Sequence, residues 1–250
     1  MSAEDSVEAL CERGQAQLMA MEYLEAEKTL ARAERMAWAE REWDLLSRLY
    51  MPLQETRRQR RQRCGEGIVC LDLIAEGPGD RVDGRHAVEH YPHGQLLVAG
   101  WGTIEPGLKV RAIAAEQGFY VETFLGAVYP DDKGRRLVVI VPLGEMKLPQ
   151  PVVRSAEQLK AVLPVGCVVM GEDELPPGAR KGTYETYGEV MAMWERLHSP
   201  FLAAADGDQD LVARIEAYRM TIRVDYACEL AHQRLSDVAR ELGRRAMQKS

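Results

Sequence analysis

Gly65-Glu66-Gly67-Ile68-Val69-Cys70-Leu71-Asp72-Leu73-Ile74 is where the chain changes character. Up to Arg63 the apolar residues recur every three or four positions, whereas from Ile68 they run together behind a pair of glycines. The first spacing suits a helix with one buried stripe, and the second a strand covered on both faces. Helices and a sheet in one chain make the fold class α+β.

Downstream of that switch, residues 95–99, 119–125 and 136–141 are further short β-branched or aromatic runs bounded by Gly, Pro or Asp, and residues 165–170 add a fifth. Residues 108–117 and 155–163 read as helices between them, the second opening on Ser155 as N-cap with Glu157 and Gln158 in its first turn. The reading is a central mixed α/β domain of about five strands over residues 65–182, ending in a Pro- and Gly-rich linker at 176–182. Asp131 and Asp132 ahead of Gly134 mark a hairpin turn.

Upstream, residues 7–37 carry two amphipathic stretches broken near Met21 and Glu22, and residues 39–63 a third, which Pro52 is expected to kink or divide. Beyond the central domain, residues 184–205, 209–224 and 226–247 resume the helical spacing, with Asp206-Gly207-Asp208 between the first two. Antiparallel helical hairpins are therefore expected at both ends, over 1–64 and 183–250.

An apolar share of 46% and a charged share of 28% exclude wholesale disorder. No run reaches the roughly 18 apolar residues of a membrane span, and Met1-Ser2-Ala3-Glu4-Asp5 is acidic where a secretory signal is basic and then apolar. The expectation is a cytoplasmic protein with no membrane partner. Cys11, Cys64, Cys70, Cys167 and Cys228 are odd in number, scattered and without a C-x-x-C pair, so they read as reduced thiols rather than a disulfide or zinc framework. A net charge of −7 argues against nucleic acid as a partner.

Trp43, Leu46, Ser47 and Tyr50 stand at the spacing W-x2-L-S-x2-Y, and Trp194, Leu197 and Phe201 repeat it with His198 in the small position. Leu10 and Gly14 precede Ala26, Leu30 and Ala33, and Gly14 and Ser47 are 33 residues apart. This resembles the tetratricopeptide family, a helix-turn-helix repeat of about 34 residues in which small residues let paired helices approach and large ones fill the grooves. Tyr218 followed by Leu235 and Ser236 resembles a second helix leading into the next first helix. Arg214 and Thr221 where Ala is usual, Tyr226 in place of the turn Pro, and Pro200 inside a helix depart from the pattern. The resemblance implies a scaffold whose stacked helices bind a protein or peptide in a groove. Each end holds about one and a half repeats, so the two ends are expected to stack into one array with the central domain inserted. The central domain itself carries no family motif.

His86, His90 and His93 fall within eight residues. Imidazoles with Asp83 or Glu89 suit a zinc-like ion, but Pro92 and Gly94 break any helix that would align them, and a surface loop with incidental histidines is the preferred reading. Gly100-Trp101-Gly102-Thr103 has two glycines of a phosphate-binding turn but neither the third glycine nor a Walker lysine, so a tight turn serves equally well. Cys70 and Cys167 lie in apolar runs, where a thiol is packing. Glu172-Asp173-Glu174 reads as a solvated loop. The run from Arg57 to Arg63, with five arginines in seven residues, reads as a cationic helix end that solubilises a junction. No reaction or cofactor is indicated. The reading is a non-enzymatic interaction protein, the alternative being an enzyme or small-ligand sensor with a pocket near the 86–93 segment.

Overall fold

The computed structural model describes residues 6–152 and 155–248; residues 1–5, whose acidity entered the reading above, lie outside them. Among the described residues are nine α-helices: α1 (Val7–Met19), α2 (Tyr23–Glu40), α3 (Trp43–Gly65), α4 (Gly84–His90), α5 (Glu105–Gln117), α6 (Ala156–Val162), α7 (Tyr184–Gly207), α8 (Leu211–Val224) and α9 (Glu229–Met247). Six strands lie between them: β1 (Ile68–Ile74), β2 (Gly94–Trp101), β3 (Val121–Pro130), β4 (Arg136–Val141), β5 (Val168–Gly171) and β6 (Arg180–Lys181). The class is α+β, with helices on both sides of the sheet region in chain order. No described helix is long and apolar enough to cross a membrane. The chain forms two compact units, which divide between Arg60 and Arg61 and between Pro200 and Phe201.

The helical unit takes its helices from both ends of the chain. Leu10 from α1, Leu30 and Ala33 from α2, Leu46, Leu49 and Tyr50 from α3, Ile215 and Tyr218 from α8, and Ala231 and Leu235 from α9 share one core. Gly14 sets the spacing of α1 and α2, because a Cβ there would lie 2.5 Å from Leu30 Cγ. Ser6 caps α1 by accepting from the Ala9 N–H at 3.2 Å, and Asp210 caps α8 by accepting from the Ala213 N–H at 2.8 Å. The Ser236 hydroxyl donates to the Ser47 carbonyl at 2.6 Å and ties α9 to α3.

The second unit is a mixed sheet in the order β5-β4-β3-β2-β1-β6. β1, β2 and β3 are parallel, and the other pairings are antiparallel. The helices α4 and α5 are the crossovers between the parallel strands, and their Ala87, Val88, Val110 and Ala114 pack on Cys70, Leu96 and Val98. Alternation along β3 turns Glu122 and Phe124 to the opposite face. There Phe124 stacks on Trp194 with centroids 4.4 Å apart, and Arg61 makes a two-pronged pair with Glu122, Nη2 reaching Oε1 at 2.6 Å. The β3–β4 turn is held by Asp131, whose Oδ1 accepts from the Lys133 and Arg135 N–H groups at 2.9 and 2.7 Å.

The structure departs from the sequence reading at several points. Residues 180–181, placed in a linker, form β6 against β1, so the sheet has six strands. β3 begins at Val121 and continues to Pro130, and β5 begins only at Val168. Pro52 does not end α3, whereas Pro200 lies inside α7 as the helical spacing over 184–205 implied. A proline removes one N–H and crowds one carbonyl, a local cost of about 3 kcal/mol, and the buried Leu49, Tyr50 and Leu53 hold α3 on both sides of Pro52.

Candidate functional site

Three helices of the helical unit enclose a cleft of about 570 Å³. Glu34 and Trp38 come from α2, Tyr50 and Arg57 from α3, and Glu216, Arg219, Met220, Ile222 and Arg223 from α8, with Tyr226 just beyond it. One wall centres on Glu34. Its Oε1 accepts from Arg219 Nε at 2.8 Å and from the Tyr50 hydroxyl at 3.3 Å. The Arg219 guanidinium lies over the Trp38 ring, 4.2 Å from its centroid, and its Nη groups hydrogen-bond nothing among the described residues. Burial, then the Glu34 charge, raises the Tyr50 pKa, so the phenol stays a donor.

The other wall includes Arg57, the first residue of the arginine run. Arg57 Nε and Arg60 Nη1 both donate to Glu27, at 3.1 and 2.6 Å. Burial alone would raise the Glu27 pKa, but the charges and hydrogen bonds of Arg60 and Arg57 outweigh it and lower it. Arg57 Nη1 also faces His232 Nε2 at 3.1 Å, while His232 Nδ1 lies 2.8 Å from the Cys228 carbonyl. A carbonyl only accepts, so Nδ1 carries the proton and Nε2 accepts from Arg57. Burial first, and then the Arg57 charge, lowers the His232 pKa to about 3. Arg60 lies over the Tyr226 ring at 4.7 Å.

Three arginines of the basic run thus depart from the solvated helix end that composition suggested, while Arg58 and Arg63 stay half exposed. Arg57 and Arg60 share the largely covered carboxylate of Glu27, and in the sheet unit Arg61, 2% exposed, is matched to the buried Glu122. The partners Glu27 and Glu122 lie 30 and more residues away in sequence, where composition gives no signal. Gln95, also unremarked in the sequence, is fully buried beside Glu122 in the sheet register, and its amide hydrogen-bonds nothing among the described residues.

Of the residues read as repeat packing, Leu10, Gly14, Ala26, Leu30, Ala33, Leu46, Ser47, Tyr50, Tyr218, Leu235 and Ser236 are buried in the helical unit. Trp43 is partly buried there, edge-on to Trp38 at 5.7 Å. Trp194 and Leu197 are buried in the sheet unit instead, Trp194 against Phe124, and only Phe201 of that group falls in the helical unit. A tryptophan at helical spacing fills a sheet face as well as it fills a helix groove, and spacing does not distinguish the two.

His86 and His90 lie on a helix rather than in a loop. Asp83 caps α4 through the Arg85 N–H at 2.9 Å, and the helix ends at His90 before Pro92 forces Tyr91 toward extended backbone. His93 sits outside it and accepts from the Tyr120 N–H at 3.3 Å. The turn at Gly100 to Thr103 is closed by protein: Gly102 has φ +62°, and a Cβ there would meet Pro151 at 2.6 Å. Burial raises the Cys70 and Cys167 thiols to about 11, with a hydrogen bond from Cys70 to Asp72 adding to the first. Glu172 of the acidic loop pairs with Arg136.

No family model matches the chain, and no curated protein or solved structure matches it either.

Proposed function

We propose that this is a non-enzymatic interaction protein with tetratricopeptide-like helical pairing, whose helical unit docks an extended segment of a partner protein between α2, α3 and α8. The observation that carries the reading is the cleft itself. Its volume of about 570 Å³ falls within the roughly 300–1,000 Å³ typical of ligand clefts. Trp38, Met220, Ile222 and Tyr226 offer apolar and aromatic surface, the composition in which binding hot spots concentrate. Glu34 and Glu27 already balance Arg219 and Arg57, so the cleft presents hydrogen-bond donors without a large unpaired charge. Such a surface suits the carbonyls of an extended chain better than a free anion. The rim carries one residue of each sign, Glu216 and Arg223, both exposed. The helix pairing of the repeat family is supported by the close approach at Gly14 and by the α3–α9 contact at Ser47 and Ser236.

Affinity capture from native host lysate, after nuclease treatment, tests the reading. The intact chain should retain a stoichiometric protein that Trp38→Ala and Arg223→Glu each release, while Tyr184→Ser, at a residue 93% exposed in the sheet unit, leaves capture unchanged. A captured protein indifferent to both cleft changes would move the function elsewhere.

A further inference from the structure

His86 and His90 are one turn apart on α4, at i and i+4, where side chains stand above one another on the same face. Both are exposed, and their ring centroids are 5.3 Å apart with the planes inclined at 42°. Neither ring hydrogen-bonds another residue among the described residues. His93 and His232 contrast with them: the first has its Nδ1 engaged by Tyr120, and the second is fully buried with both nitrogens used.

We propose that α4 carries a two-histidine chelate for a divalent transition-metal ion, with His86 and His90 as its protein ligands. Imidazole suits copper, nickel and zinc, and affinity in a nitrogen site rises toward Cu²⁺. Two ligands on a surface turn leave the other coordination positions to water, so the site is open rather than structural. The helix already holds both rings on one face, and His90 is further braced edge-on by the Tyr91 ring, 5.3 Å between centroids. Arg85 and Glu89, both exposed, are the charged residues of α4, one of each sign. The Asp83–Lys109 pair is already made, at 3.5 Å. The site belongs to the sheet unit and does not rest on the cleft.

The test is titration of the full chain, stripped with chelator, first with Cu²⁺ and then with Ni²⁺, followed by calorimetry and, for copper, by the nitrogen hyperfine pattern in electron paramagnetic resonance. One equivalent bound through two imidazole nitrogens is expected. Loss of an outer-shell partner already costs a metal site roughly 10–100-fold, so His86→Asn or His90→Asn should each weaken binding at least about tenfold. His93→Asn should leave it unchanged. Because the two ligands are exposed, the variants should keep the wild-type circular dichroism. Wild-type affinity and stoichiometry in the His86→Asn, His90→Asn double variant would overturn the assignment, as would an equal loss in His93→Asn alone.

Discussion

Lowering the pH from 7 to 5 should weaken the helical unit through one side chain, His232. In the fold its ring is fully buried, with Nδ1–H donating to the Cys228 carbonyl and Nε2 accepting a hydrogen bond from Arg57. Burial and the Arg57 charge hold its pKa at about 3, whereas a histidine in an unfolded chain titrates near 6.5. Between those values the unfolded chain binds a proton that the folded chain refuses. Stability therefore falls as pH drops through this window, and the effect is absent above it. The loss is RT ln(1 + 10^(6.5 − pH)), about 0.2 kcal/mol at pH 7 and about 2 kcal/mol at pH 5. Glu27, with its lowered pKa, stabilises the fold above the usual carboxylate range and is lost only at more acid pH, and Glu42, raised by burial, acts in the opposite direction as pH falls, so neither accounts for a loss between 7 and 5. Urea unfolding should be followed by fluorescence in a Trp101→Phe, Trp194→Phe background, so that Trp38 and Trp43, both in the helical unit, report. His232→Phe will lower stability at every pH by depriving Arg57 of an acceptor, but should flatten the dependence. An equal fall with pH in the His232→Phe protein would refute the reasoning.

Other perturbations have equally definite signs. Arg61→Met leaves the Glu122 carboxylate, 3% exposed, buried without its partner and should cost about 3–5 kcal/mol in thermal or urea unfolding, most of it recovered in an Arg61→Met, Glu122→Leu double variant. Gln95→Met removes a buried amide with no hydrogen bond and should raise stability by about 1–2 kcal/mol; destabilisation would mean that the amide is paired. Gly14→Ala drives a methyl toward Leu30 and should cost about 1–3 kcal/mol, with a smaller cost in a Leu30→Ala background.

The helices and most strands were legible because their apolar spacing is regular and long. The switch at Gly65 to Ile74 coincides with the end of α3 and the start of β1. What was misread depended on distant partners. Arginines 57, 60 and 61 look like a solvated run until Glu27 and Glu122 are brought to them. Trp194 matches a repeat pattern but packs on Phe124 of the sheet. Gly84 to His90 is too short to show periodicity and was judged by Pro92, which in fact lies just beyond its end. β6 is two residues held by pairing with β1 and by the Arg180–Glu189 ion pair, and no local propensity marks it. The cleft was not legible at all, since α8 is some 160 residues from α3 in sequence, and nothing short of the fold places Arg219 on Trp38.

The most direct measurement on the docking claim is selection of a displayed random-peptide library on the full chain, followed by affinities for the enriched peptides. Docking in the cleft predicts binders that lose roughly 30-fold or more, about 2 kcal/mol, on Trp38→Ala, lose affinity on Arg223→Glu, and ignore the His86→Asn, His90→Asn double variant. Enriched peptides that bind the cleft variants as tightly as the wild type, or a library that yields no binder, would contradict it.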